Sequence, residues 1–129
     1  MIRIALSTGG RTDFIDVTAR VAAAVAEHGS GSGVATVFVP HTTAGITVNE
    51  NADPSVVTDM IGALDRMAPW DGPYRHAEGN AAAHIKAALL GTSVQIVFEE
   101  ARLCLGRWQG LYFCEFDGPR ERELWLRIS

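Results

Sequence analysis

Three of the four histidines, His41, His76 and His84, stand in or beside polar, irregular stretches of the chain. Imidazole nitrogens in such places can ligate a metal or move protons near neutral pH. The three share no short ligand spacing such as His-x-x-x-His, so a three-histidine metal site is one reading. The other is two histidines satisfied within the structure and one exposed. His28 needs no function, because it closes a helix, where a cation favours the C-terminal dipole.

Glu115 lies inside Tyr112-Phe113-Cys114-Glu115-Phe116, an otherwise apolar strand. A buried carboxylate must be paired or chemically active, since desolvation alone is costly. Arg107 and Arg120 are the candidate partners; alternatively, Glu115 points to solvent from an antiparallel strand. Trp108-Gln109 sits between Gly106 and Gly110, and its indole is either core or a stacking surface.

The densest polar stretch is Pro40 to Asp53, which follows the apolar run Val34 to Val39. Its fourteen residues hold a histidine, three threonines, two asparagines and two carboxylates. Cap chemistry explains Asp53 as an N-cap with Pro54 at the first helical position. It leaves His41, Asn49 and Glu50 unexplained, and ligand or metal binding explains them better. Hydrolase and dinucleotide signatures are missing: there is no Gly-x-Ser-x-Gly elbow, no cysteine beside a histidine and a polar turn, and no glycine fingerprint after a strand. Gly29-Ser30-Gly31-Ser32-Gly33 runs from a helix into a strand without Lys-Ser or Lys-Thr, so it is a connector and not a phosphate loop.

Positioning these residues requires a frame. Residues 2–8 alternate as a strand closed by Gly9-Gly10, and Asp16-Val17-Thr18 opens a helix with Val17, Val21, Ala24 and Val25 on one face. Strands at 34–39 and 45–48 precede a helix from Asp53-Pro54 to about Arg66. The irregular stretch Met67 to Asn80 carries Trp70, Tyr74, Arg75 and His76, and a long loop so loaded is often functional. Ala81 to Leu90 forms a short helix with Asn80 as N-cap, and it bears His84 and Lys86. Strands at 93–98, 102–105, 111–116 and 123–128 complete an α+β domain with mainly antiparallel sheet. Leu124-Trp125-Leu126 leaves both faces of the last strand apolar, which suits cover from a second sheet or a neighbouring subunit.

A chain of 129 residues, 47% hydrophobic and 20% charged, is one domain (1–129) with enough apolar material for a core. Its formal charge of −4 gives no global attraction to nucleic acid or anionic membrane. No apolar run approaches the ~20 residues that span a bilayer, and the N-terminus lacks signal-peptide regions, so a cytoplasmic protein is expected. The two cysteines, Cys104 and Cys114, lie in apolar strand-like surroundings and are expected as buried thiols.

Four segments together carry a resemblance. His41-Thr42-Thr43-Ala44-Gly45-Ile46-Thr47-Val48-Asn49-Glu50-Asn51-Ala52-Asp53-Pro54 is the first, and Arg75-His76-Ala77-Glu78-Gly79-Asn80 the second. Ala83-His84-Ile85-Lys86 follows, then Leu105-Gly106-Arg107-Trp108-Gln109-Gly110 leading to Glu115-Phe116-Asp117-Gly118-Pro119-Arg120. In this order they resemble the YjbQ family (UPF0047), often labelled secondary thiamine-phosphate synthase, over nearly the whole chain. The resemblance implies a two-sheet, mostly antiparallel β-sandwich of α+β class with about three helices, assembling as a homotrimer around polar sites that bind a divalent metal. It implies His41, His76 and His84 as metal ligands, with Glu115, Glu50, Asn49 and Arg120 as catalytic groups. Lys86, Trp108, Gln109 and Asp53 would bind substrate, and Glu78 belongs to the same motif set. Ala87-Ala88 departs from the family, whose members often carry a polar residue there.

Two functions are compatible with these residues. A metal-dependent enzyme would act on a small phosphorylated substrate; the family label implies joining a hydroxymethylpyrimidine diphosphate to a thiazole phosphate. Metal and cations would neutralise the leaving diphosphate while Trp108 stacks on the pyrimidine. Histidines favour zinc, although diphosphate chemistry usually employs magnesium held by carboxylates and water. The alternative is a non-catalytic homotrimer that binds a metal or metabolite, consistent with the lack of a self-evident nucleophile.

Overall fold

The computed structural model describes residues 1–129. Three helices and eight strands follow in the order β1 (Ile2–Ser7), β2 (Asp13–Asp16), α1 (Thr18–His28), β3 (Gly33–Phe38), β4 (Ala44–Glu50), α2 (Pro54–Met67), α3 (Ala81–Leu90), β5 (Ser93–Glu99), β6 (Arg102–Leu103), β7 (Gln109–Glu115) and β8 (Glu121–Ile128). The strands form a five-stranded sheet, β1-β8-β3-β5-β6, and a three-stranded sheet, β2-β7-β4. Every pairing is antiparallel. The α+β class and the two-sheet arrangement are therefore as expected.

Alternation decides which faces meet. Leu6, Ala35, Val37, Leu124 and Leu126 project from the larger sheet, and Ala44, Ile46, Leu111 and Phe113 from the smaller one. With Val21, Ala24 and Val25 of α1 they make one buried cluster between the sheets. Each large aliphatic or aromatic side chain so buried contributes about 1.5–3 kcal/mol. The other face of the small sheet presents Tyr112 and Cys114, which α2 and α3 cover with Leu64, Ala83 and Ala87.

α3 can lie close to β4 because residue 45 has no side chain. A Cβ on Gly45 would stand 2.8 Å from the Gly91 carbonyl oxygen and 3.2 Å from Leu90 Cβ. The contact is sealed by the Ile46 N–H donating to the Gly91 carbonyl at 3.0 Å. α2 begins as its sequence dictates: Asp53 accepts the Ser55 N–H at 2.9 Å and Pro54 takes the first helical position.

Some local readings differ from the structure. Asp13-Phe14-Ile15-Asp16 is a strand, with Asp13 opposite Glu115 and Asp16 opposite Tyr112; four residues with acidic ends show no alternation, and pairing to β7 makes the strand. Cys104 is exposed because it follows the two-residue edge strand β6, whereas Cys114 is buried; both are free thiols. Asn80 occupies the N-cap position of α3 without a side-chain cap bond. On the outer face of the large sheet, Trp125 packs on Phe38 and under Arg3, and no element of the chain covers them. No helix is long and apolar enough to cross a membrane.

Candidate functional site

The turn that carries the chain from β7 to β8 also carries it from one sheet to the other, and a cleft of about 550 Å³ opens beside it. His41, Thr42 and Thr43 come from the segment after β3, and Trp70, Glu78 and Asn80 from the 68–80 loop. His84 comes from α3, and Asp117, Arg120 and Arg122 from the turn and the start of β8.

Beneath the cleft lies Glu115, fully buried. Its carboxylate accepts Arg122 Nε at 2.8 Å, the Thr8 hydroxyl at 2.9 Å, and the N–H groups of Phe116 and Asp117, each at 3.1 Å. Arg122 Nη2 bonds both this carboxylate and the Thr43 hydroxyl, at 2.7 Å for the latter. Burial pushes the Glu115 carboxyl up, but Arg122, the Asp117 N–H and the Thr8 hydroxyl together outweigh it and hold it below the usual range. Arg122 is only 5% exposed, and its Nη1 has no partner within the chain although the residue lines the cleft.

Asp117 organises the next layer. Arg120 reaches its carboxylate through Nη2 at 3.0 Å and its carbonyl through Nε at 2.9 Å, and Asn80 Nδ2 donates to the same carboxylate at 2.9 Å. A Cβ on Gly118 would fall 2.3 Å from the Gly10 carbonyl and 2.7 Å from the Thr8 hydroxyl, so only glycine lets the turn pass this close.

The histidines divide into a pair and a singleton. The rings of His76 and His84 are perpendicular, 5.2 Å apart, with Glu78 Oε2 3.9 Å from His76 Nε2. Two imidazoles so close can share one ion at the usual zinc–nitrogen distance of ~2.0–2.1 Å. His41 stands apart: its Nε2 accepts the Glu123 N–H at 3.0 Å. With that lone pair engaged, the proton of the neutral ring is assigned to Nδ1, and neither nitrogen keeps a lone pair for a metal. Burial first, and then the Arg122 charge, hold the His41 pKa down, which keeps the ring neutral. Within the chain no set of three or more His, Cys, Asp or Glu side chains gathers tightly enough to hold one metal ion. The His76 and His84 rings are near enough for one ion to reach both, whereas His41 has no free nitrogen lone pair to offer.

The remaining expected residues lie elsewhere. Lys86 is buried under α2, its amine bonded to Asp65. Ala44 faces Glu115 at one end of the β4–β7 ladder and Glu50 faces Gln109 at the other, six residues and roughly 20 Å away. Asn49, Glu50, Asp53, Trp108 and Gln109 cluster at that far end. There Asn49 Oδ1 accepts the Glu50 N–H at 2.7 Å, Glu50 Oε2 the Asp53 N–H at 3.3 Å, and Gln109 Oε1 the Gly106 N–H at 2.8 Å. The cleft thus unites His41, His84, Arg120 and Glu78, with His76 at its rim and Glu115 beneath it. Thr8, Thr43, Asn80, Asp117 and Arg122 also serve it and escaped the sequence reading. An arginine seven residues after a carboxylate, across an Asp-Gly-Pro turn, was the one available signal for Arg122.

Comparison with known proteins agrees with this architecture. A family model described as UPF0047 protein YjbQ-like matches residues 2–129. The UPF0047 protein YugU of Bacillus subtilis is 49% identical over 124 residues, covering 95% of this chain and 94% of its own. A UPF0047 protein of Methanocaldococcus jannaschii is 44% identical over 128 residues, covering 99% and 93%. A YjbQ/UPF0047-family crystal structure from Clostridium acetobutylicum has a TM-score of 0.97 at 53% identity, with 100% of both chains covered. The crystal structure of a conserved hypothetical protein from Thermus thermophilus has a TM-score of 0.93 at 44% identity, also with 100% of both chains covered.

Proposed function

The chain belongs to the YjbQ-like UPF0047 family, and from that premise we propose that it is a metal-dependent enzyme acting on a small phosphorylated substrate in the cleft. The observation that carries this reading is the charge balance of the site. Arg122 is offset by Glu115 and Arg120 by Asp117, which leaves Glu78, next to His76, without an arginine or lysine partner at the cleft. As it stands the cleft does not attract an anion. His76 and His84, next to Glu78, would hold a divalent cation whose charge would reverse that sign, which would give the histidine pair a purpose.

Zinc is the ion that two imidazoles favour, with magnesium the alternative, and when bound it supplies Lewis-acid stabilisation of charge on a phosphoryl oxygen. The chain's own groups do the rest. His41 Nδ1–H and Arg122 Nη1 donate hydrogen bonds to the anion, and Arg120 adds a half-exposed guanidinium. Glu115 positions Arg122 and touches no ligand. Trp70 offers an aromatic wall, held by Arg11 4.2 Å above its ring. That wall suits a heteroaromatic substrate, so thiamine-phosphate synthesis is one finer form of the reading; hydrolysis or transfer on another phosphorylated molecule uses the same groups.

We extend the reading to a homotrimer. The family resemblance supports it, and so do the apolar side chains left exposed on α3 (Ile85, Leu89) and on the large sheet (Phe38, Val97). Asn49, Glu50, Asp53, Trp108 and Gln109 would then act by meeting the cleft of a neighbouring copy. Lys86 contributes by fixing α3 to α2.

Metal analysis of protein purified without added metal or chelator tests the proposal, together with phosphate titration before and after zinc loading. Near-stoichiometric zinc, lost in His76→Ala and His84→Ala, and phosphate binding that depends on zinc are expected. A protein that takes up no metal when loaded, or that binds phosphate equally with and without it, sinks the reading. Zinc and phosphate binding without turnover on any phosphorylated compound would favour the non-catalytic alternative.

A further inference from the structure

One cation at the rim of the cleft has no counter-charge. Arg120 and Arg122 are the two arginines whose side chains donate hydrogen bonds within the chain, and each answers a carboxylate of the site. Arg11 makes no ion pair, and its guanidinium lies over the ring of Trp70, 4.2 Å from Cζ to the ring centre. Two other arginines stand over tryptophans, Arg3 on Trp125 at 5.2 Å and Arg107 on Trp108 at 4.8 Å. Both stacks are looser, and neither tryptophan lines the cleft as Trp70 does.

Both members of the Arg11–Trp70 stack are anchored. The Gly118 N–H donates to the Arg11 carbonyl at 3.1 Å, which seats the turn between β1 and β2 against the turn that supplies Asp117 and Arg120 to the cleft. The Gly9 N–H closes the first of these turns on the Asp13 carboxylate at 2.8 Å. Trp70 packs on the second buried cluster, which contains Leu64, Tyr112 and Phe116. A guanidinium held by its flat face on an aromatic ring keeps its N–H groups at its edge, where they can take a carboxylate or a phosphate bidentately. Arg11 is therefore an unoccupied fork of donors in a set orientation, beside the cleft wall.

Depth separates this fork from the donors inside. Arg122 is 5% exposed at the base of the cleft, whereas Arg11 is an exposed residue. A cleft of about 550 Å³ admits a whole small molecule and not just a phosphate group. We propose that Arg11 binds a second anionic group of the substrate at the rim of the cleft, so that the substrate is a phosphate ester with a carboxylate or a further phosphate at its other end. This deepens the function proposed above and rests on it. The inner donors hold the phosphate, and Arg11 selects esters by the charge of their outer end.

Calorimetric titration of the zinc-loaded protein compares ethyl, propyl and butyl phosphates with the same esters bearing a terminal carboxylate or a second, terminal phosphate. At the chain length that spans the distance, a charged ester is expected to bind about fivefold tighter than its alkyl counterpart, as a well-aligned exposed ion pair allows. The end group that gains more identifies what Arg11 takes. Arg11→Gln should abolish the gain, and Arg20→Gln, which removes the same charge from an exposed position on α1, should keep it. Unchanged zinc content shows that the site is intact in both variants. No gain at any length in the wild type overturns the proposal, as does a gain that survives in Arg11→Gln or vanishes in Arg20→Gln. If zinc binds and none of the esters does, the phosphate reading itself has failed and this inference falls with it. Binding of the alkyl esters without any gain from a charged end leaves that reading standing and removes Arg11 alone.

Discussion

His41 Nε2 accepts the backbone N–H of Glu123 at 3.0 Å, which ties the segment after β3 to β8 and decides what the imidazole can do. The neutral ring should show the Nδ1–H tautomer in nitrogen-15 NMR at pH 7–8. Because the His41 pKa lies below its ordinary value, its contribution to stability is whole above the unfolded pKa of ~6.5 and is lost as pH falls through the folded one. His41→Gln should retain the zinc content of the wild type. Loss of zinc in that variant would restore His41 as a ligand.

Removing the charge at Glu115 tests the floor of the cleft. Glu115→Gln leaves Arg122 buried without its counter-charge and should lower unfolding stability by about 3–5 kcal/mol in urea titrations at pH 7. The carboxyl is held below its ordinary range, so the native state binds fewer protons than the unfolded chain in acid. Its stabilisation is complete above the unfolded pKa of ~4.3 and disappears as pH falls through the folded value. Asp16 and Asp53 are shifted the same way, so the variant should keep a shallower acid dependence than the wild type.

Gly45→Ala probes the seat of α3. The added methyl meets the Gly91 carbonyl and Leu90, and the helix must move outward. Thermal unfolding should report a loss of about 1–3 kcal/mol. His84 travels with α3 whereas His76 does not, so zinc affinity should fall as well. Unchanged affinity would mean that the pair tolerates such a shift.

The two thiols should separate by reactivity. Cys104 is exposed and should react with a thiol reagent in the native protein. Cys114 is buried and burial pushes its pKa far up, so it should react only on unfolding. Titration in buffer should therefore count one thiol, and in denaturant two.

What could be read from the sequence was what short segments decide. Asp53-Pro54 announced the start of α2, and Ala81 to Leu90 its short helical neighbour, because cap and period act within a few residues. His41, His76 and His84 could be singled out by type, but the split into a pair and a singleton depends on where the 68–80 loop lies against α3. For Glu115 the sequence allows both a buried, paired carboxylate and a solvent-facing one, and the fold decides for burial. Arg107 and Arg120 were the candidate partners, but register on β8 points Arg122 inward. β2 and the exposure of Cys104 escaped for the same reason: each is set by strand pairing and not by local composition. The dispersal of Asn49, Glu50, Trp108 and Gln109 to the far end of the β4–β7 ladder is likewise a matter of register.

Glu115 and Arg122 sit on strands of different sheets, and Thr8 and Thr43 brace them from two further segments. The base of the cleft is accordingly a rivet through both layers and has no freedom to adapt to what enters. Any adjustment to the shape of a ligand falls to the wall formed by residues 68–80, so discrimination between neighbouring substrates should evolve in that loop while the rivet stays as it is.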